Sequence, residues 1–333
     1  MYQQQAPLPC GYPPVNCIEL HNVTKAYSTK VAVQDVTLNV PAGTVFGLLG
    51  PNGAGKTSLI RMITHITMPD SGRILFNGEP LTEAHQARMG YMPEERGLYK
   101  KMPVYEQLLY LMQLRGMKTK AADEAIDKWL TRFELNSWRK RKTDELSKGM
   151  QQKIQFIATV AHNPPLLILD EPFSGLDPIN AQLLEQVMLE LKAQGTTVIF
   201  STHRMEQVEE FCDRIALINN ARIVLEDDVK AARHRYRKSI YTLESEHDFS
   251  TIAIPEMATV LERTPHRVKV QLPDGLKPAP LIAYLNERIE LSRFELYLPS
   301  LRDIFIEVVE KSNSPATSVP LSNTHTNTTP ITA

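Results

Sequence analysis

The chain has 333 residues, 42% hydrophobic and 23% charged, which fits one large globular domain or one of about 200 residues with a smaller companion. Its 37 Lys and Arg balance 38 Asp and Glu, which argues against a protein that wraps nucleic acid, where a basic excess is the rule. Cys10, Cys17 and Cys212 form no CxxC pair and no metal-ligand spacing, as in a reducing compartment. No run of 18 apolar residues occurs, so any membrane role requires a partner.

Residues 1–17 are rich in Gln and Pro, lack the basic and apolar blocks of a secretory leader, and are expected to be irregular. From 18 to 228, short apolar runs alternate with helical patterns, which predicts an α/β domain with a largely parallel core sheet. The run 44–49 is apolar on both faces and reads as a buried strand. A helical insertion is expected over about 98–161. Its stripes are Leu108, Leu111 and Met112, then Ile126, Trp129, Leu130 and Phe133, then Ile154, Ile157, Ala158 and Ala161. Buried strands follow at 166–169 and 197–200, separated by a helix whose apolar face is Leu184, Val187, Met188 and Leu191. The basic stretch Arg233-His234-Arg235-Tyr236-Arg237-Lys238 reads as a solvated linker or a face for anionic lipid. Residues 236–310 suggest a small α+β domain, with Val268, Val270 and Leu272 alternating along a strand and a helix at 281–288. Residues 312–333 are Ser, Thr, Asn and Pro, too poor in apolar side chains to fold, and are expected to be disordered.

The strand at 44–49 runs into Gly50-Pro51-Asn52-Gly53-Ala54-Gly55-Lys56-Thr57, with Ser58 next and a helical pattern after it. This is a phosphate-binding loop in the context that gives the pattern meaning. The glycines let successive backbone N–H groups turn inward, and the helix adds the positive end of its dipole. Lys56 is expected to reach the β- and γ-phosphates of a nucleotide and Thr57 to place its hydroxyl on Mg²⁺. The loop alone indicates an NTPase or a kinase. The strand at 166–169 ends in Asp170-Glu171, at the carboxyl edge that faces the ligand crevice of an open α/β sheet. There Asp170 can hold Mg²⁺, and Glu171 can polarise an attacking water.

With these residues in place, the chain resembles an ABC nucleotide-binding domain, because the family's other motifs follow in order. Leu146-Ser147-Lys148-Gly149-Met150 resembles the signature, with Lys148 for a glycine and Met150 for a glutamine. Ser174-Gly175-Leu176-Asp177 resembles the D-loop, His203 matches the switch histidine, and Tyr27 matches the aromatic residue that stacks on adenine. The resemblance covers residues 18–228. It implies a P-loop NTPase domain of α/β class with a mostly parallel core sheet, an antiparallel edge subdomain and the helical insertion. It further implies ATP and Mg²⁺ as ligands, and two such domains meeting head to tail so that Ser147 and Gly149 of one cover the γ-phosphate held by the other. His203 would sense that phosphate.

In Tyr91-Met92-Pro93-Glu94-Glu95-Arg96-Gly97 the sequence departs from the family, which usually has a glutamine where Glu94 stands. Glu94 would bring an extra charge toward Mg²⁺ and the water, balanced by the metal or by Arg96. The other possibility is that it faces solvent and Glu95 or the backbone serves the loop. Leu298-Pro299-Ser300-Leu301-Arg302-Asp303-Ile304-Phe305 resembles the closing motif of an extension on ATPases of sodium-efflux and antibiotic-export type; read locally, it is an amphipathic helix capped by Ser300. The expectation is an ATP-hydrolysing exporter subunit, acting with a separate transmembrane permease and a second ATP-binding subunit, without nucleic acid. It would sit in the cytoplasm, peripheral on the membrane. A soluble ABC ATPase acting on a macromolecular assembly is the competing reading. It is weakened by the single P-loop and by the lack of sustained heptads between loop and signature. A guanine-recognition Asn-Lys-x-Asp motif is lacking.

Overall fold

The computed structural model describes residues 16–95 and 97–313. The chain starts with β1 (Asn16–Tyr27) and β2 (Lys30–Pro41), paired antiparallel. The first strand therefore opens two residues inside the segment expected to be irregular. Asn16 pairs with Pro41, and the buried Cys17 accepts from the Asn77 N–H, which accounts for their order. Residues 1–15 of that segment, Cys10 included, lie outside the described residues, as do Arg96 and residues 314–333 of the expected tail.

Then come β3 (Val45–Leu49), α1 (Lys56–Ile63), β4 (Ser71–Phe76), β5 (Glu79–Pro80) and β6 (Met89–Met92). Next are α2 (Val104–Leu114), α3 (Thr119–Arg132) and α4 (Lys148–Val160), which form the helical insertion. Alternation resumes with β7 (Leu166–Asp170), α5 (Pro178–Ala193), β8 (Thr197–Thr202), α6 (Met205–Phe211), β9 (Arg214–Asn219), β10 (Arg222–Asp228) and α7 (Val229–Arg235). The remainder is β11 (Ile240–Glu244), β12 (Thr259–Thr264), β13 (Arg267–Gln271), α8 (Ala279–Asn286), β14 (Arg293–Leu296) and α9 (Leu301–Asn313).

The central sheet has the order β10-β9-β3-β8-β7-β6, parallel throughout except for the β10–β9 pair. Its strands are apolar at nearly every position because both faces are covered. Val45, Leu49, Leu167, Leu169, Val198 and Phe200 face the helices. Their neighbours Phe46, Leu48, Leu166, Ile168 and Ile199 face α1 and the antiparallel sheet β2-β1-β4-β5. Period-2 alternation inside an all-apolar run thus divides the side chains between two cores.

A third core fills the space between the antiparallel sheet β12-β13-β11-β14 and α8, with Leu243, Val268, Val270, Leu281 and Leu285. Helix α8 starts two residues earlier than expected, because Pro278 at its N-cap presets the first turn, and it ends before Arg288. The closing helix α9 belongs elsewhere: Leu301, Ile304 and Val308 share the helical core with Phe211, Val229 and Ala232. Ser300 caps α9, its Oγ accepting from the Asp303 N–H at 3.1 Å. Polar contacts fix this seat. Glu209 of α6 accepts from the Leu301 N–H and pairs with Arg233 at 3.5 Å, while Arg233 Nε donates to Pro299 O at 3.0 Å. The basic stretch is thus partly tied into the fold, while His234, Arg235, Arg237 and Lys238 stay exposed. Arg233 and Arg235 lie on α7, Arg235 pairs with Asp227 at 2.9 Å, and Lys238 pairs with Glu307 at 3.3 Å.

Candidate nucleotide site

The loop between β3 and α1 can be built only with glycine at two points. Gly50 has φ +153°, and a Cβ there would lie 2.3 Å from Ile218 O. Gly55 has φ +117°, and a Cβ would lie 2.2 Å from Ala32 O. Lys56, 7% exposed, opens α1, and its Nζ donates to Gly50 O at 2.8 Å and Pro51 O at 3.2 Å. Ala54 is buried and donates its N–H to Pro51 O, closing the turn.

Parallel pairing brings the ends of β7 and β8 beside this loop, with Asp170 opposite Ser201. Thr57 Oγ1 donates to Asp170 Oδ2 at 3.1 Å, and Ser201 Oγ donates to Asp170 Oδ1. Glu171 has φ +50°, a left-handed conformation uncommon outside glycine and costing about 1–3 kcal/mol. It is held there by its N–H donating to Ser201 O. The Glu171 carboxylate accepts from Thr202 Oγ1 at 3.3 Å and from the His203 N–H at 3.1 Å, and it lies 2.7 Å from His203 Nδ1. His203 itself is more than half exposed.

Together these groups form a cleft of about 410 Å³. Tyr27, 41% exposed at the end of β1, stands at one side with Lys30 and Ala32; Asn52, Gly53, Gly55, Lys56, Thr57 and Ser58 line the floor, and Glu94, Asp170 and Glu171 supply the acidic wall. Burial pushes the Lys56 ammonium below its ordinary pKa, while Glu171, Asp170 and Glu94, in that order, pull it back. Tyr91 is pushed up to about 12, first by burial and then by the Asp170 charge.

The signature residues do not line this cleft. Ser147 is the N-cap of α4, its Oγ accepting from the Met150 N–H at 3.3 Å, with Lys148 exposed and Gly149 and Met150 half-buried. A Cβ on Gly149 would lie 3.7 Å from Gly175 O, so the signature and the D-loop adjoin. Ser174, Gly175 and Leu176 lead into α5, which Asp177 caps by accepting from the Asn180 N–H at 3.0 Å. Sequence reading missed Ser201 and Thr202, which orient the two acids; only their place at a strand end beside His203 marked them.

The donor set suits Mg²⁺: a hydroxyl and a carboxylate 3.1 Å apart, with further carboxylates on the same wall. Among the described residues no cluster of three or more His, Cys, Asp and Glu could hold a metal by itself.

A glycine loop between strand and helix, facing acids at the carboxyl edge of a parallel sheet, defines a P-loop nucleotide-binding protein. Comparison with known proteins narrows this. Residues 33–174 match the ABC transporter family, and residues 228–309 match the C-terminal domain of DrrA1-3-like ATP-binding proteins. The uncharacterized ABC transporter ATP-binding protein YhaQ of Bacillus subtilis (strain 168) is 41% identical over 292 residues, 88% of this chain and 98% of that one. The Nod factor export ATP-binding protein I of Sinorhizobium fredii (strain NBRC 101917 / NGR234) is 36% identical across 63% of this chain and 62% of its own. A solved ATP-binding subunit of an ABC transporter superposes with a TM-score of 0.63 at 30% identity, over 66% of this chain and 93% of the other. The chain belongs to the ATP-binding proteins of ABC transporters and is an ATPase of that family.

Proposed function

We propose that the protein drives export through a separate membrane permease, by ATP-dependent closure and hydrolysis-dependent opening of a dimer. The observation that carries this reading is the paired network at the strand ends, Thr57 with Asp170 and Glu171 with His203. The first pair offers hard oxygens for Mg²⁺, which when bound would neutralise phosphate charge. The second offers a carboxylate to take a proton from water, with an imidazole to hold it in place. Lys56 would hold the β- and γ-phosphates, Tyr27 would stack on the base, and Glu94 would act at the metal side of the cleft.

Ser147 and Gly149 are exposed or half-exposed at the start of α4, away from the cleft of their own chain. Their hydroxyl and amide donors suit a phosphate held by a second copy of this subunit. Export as the direction is supported by the name of the Sinorhizobium relative and by the DrrA-like match of residues 228–309. Among the described residues no helix is long and apolar enough to cross a membrane, so a permease would have to supply the path. Membrane fractionation tests this. Where a neighbouring gene encodes a multi-span protein, the subunit is expected in the membrane fraction when both are expressed and in the soluble fraction when that gene is deleted. A soluble distribution in both cases refutes the permease partnership.

A further inference from the structure

Between β6 and α2 the chain carries Glu94 past the cleft, and the grip on that stretch comes from α4. Gln155 lies two turns into α4 and is 5% exposed. Its Nε2 donates to Pro93 O at 2.9 Å and to Glu95 O at 3.4 Å, the carbonyls on either side of Glu94. Those two acceptors fix the orientation of the amide, since a flipped group would set oxygen against oxygen. Its Oε1 is buried with no hydrogen-bond partner, an arrangement unfavourable by itself. The side chain is thus held in place by what Nε2 grips. The same helix reaches the catalytic turn. Gln152 Nε2 donates to Pro172 O at 2.9 Å, one residue beyond Glu171. Both glutamines hold backbone carbonyls, so the grip does not depend on the side chains of the loops they hold.

We infer that Gln155 is a positioning residue for ATP hydrolysis: it fixes the Pro93–Glu95 stretch so that Glu94 stands at the phosphate cleft. The inference rests on the place proposed for Glu94 in hydrolysis. Because Ser147 begins the same helix, α4 ties the segment that would cover a partner's phosphate to the acidic wall of its own chain's cleft.

The test uses the full-length protein with Gln155→Met, which keeps the volume and removes the donor, alone and combined with Glu94→Ala. Misplacing a reacting group by about an ångström costs up to about 100-fold. Gln155→Met is therefore expected to lower kcat about tenfold or more, leave the ATP KM within about threefold, and speed amide exchange at Glu94 and Glu95. The double variant is expected to fall no lower than the weaker single one. Unchanged exchange in Gln155→Met, with Glu94→Ala impaired, overturns the inference and leaves the reading of Glu94 intact. Faster exchange with kcat unchanged in both single variants overturns it through that reading. If Gln155→Met does not fold, Gln155→Glu serves. Its carboxylate can donate to a carbonyl only when protonated, so its kcat relative to wild type should climb as the pH falls. A flat ratio overturns the inference.

Discussion

Replacing Glu171 by Gln tests the proposed chemistry at a single group. The carboxylate accepts from the His203 N–H and from Thr202 Oγ1 and faces His203 Nδ1 at 2.7 Å. A glutamine keeps the volume and one oxygen, which can still accept from the His203 N–H, so the ends of β7 and β8 stay as they are. What disappears is the negative charge and the capacity to take a proton. General-base catalysis is worth about 10²–10⁴-fold, or about 2.7–5.4 kcal/mol of barrier. Binding should move the other way. The cleft wall holds Glu94, Asp170 and Glu171, and removing one of these charges lessens repulsion of a polyphosphate. The expected result is a kcat lower by about 100- to 10,000-fold with ATP affinity equal or tighter, and a dimer that persists with ATP and Mg²⁺. Phosphate release, fluorescence titration and size exclusion measure the three quantities. A kcat within about tenfold of wild type refutes the role of Glu171 as base, and monomers only would refute the ATP-bridged dimer.

Lys56→Ala should abolish tight ATP binding, because it removes the buried ammonium that the phosphate loop itself holds through its carbonyls; normal affinity in a fluorescence titration refutes the assignment. Glu94→Gln should keep hydrolysis with an altered Mg²⁺ dependence and Glu94→Ala should lose much of it, whereas superimposable Mg²⁺ titrations would make Glu94 a surface residue. Ending the chain after Asp228 strips Val229, Leu301, Ile304 and Val308 from the helical core. At about 1.5–3 kcal/mol per side chain this is about 6–12 kcal/mol, comparable to a whole domain's stability, so a soluble truncated protein with an unchanged melting temperature refutes the packing argument. His162 is held down to about 4 by burial, with the Arg115 charge adding to it. The unfolded chain therefore binds the extra proton between about pH 6.5 and 4, and stability falls as the pH is lowered through that window. Thermal melts of His162→Gln should show a shallower fall, and an identical pH profile would refute this.

The sheet and the phosphate loop were legible in the sequence because their causes are local. A strand covered on both faces is apolar at every position, as in Val45–Leu49, and a loop whose turns leave no room for a Cβ is written in glycines. The acids at the end of β7 could be read for a similar reason, since strand ends in a parallel sheet collect at one edge, whereas His203 after β8 was read only through the family resemblance. Boundaries were less legible. Irregular composition hid the start of β1, whose order comes from pairing with Pro41, 25 positions away, as the register shows. The basic residues 233–238 looked free, because their partners Glu209, Asp227 and Glu307 are set by the fold rather than by spacing. Gln155 gave no signal at all. A glutamine within a helix reads as surface, and its role depends on carbonyls that lie some 60 residues earlier.

Helix α6 begins two residues after His203, and Glu209, in its second half, holds the first turn of α9. The histidine beside the cleft and the extension that closes the chain are therefore joined through one short helix. Such an arrangement makes the two ends thermodynamically answerable to each other. If α9 sits differently when nucleotide is bound, any molecule that grips the extension and favours one seat changes the affinity for ATP, and ATP changes the affinity for that molecule by the same factor. Sensitivity of this kind requires no second nucleotide site and no movement of the central sheet, only a small tilt of seven residues.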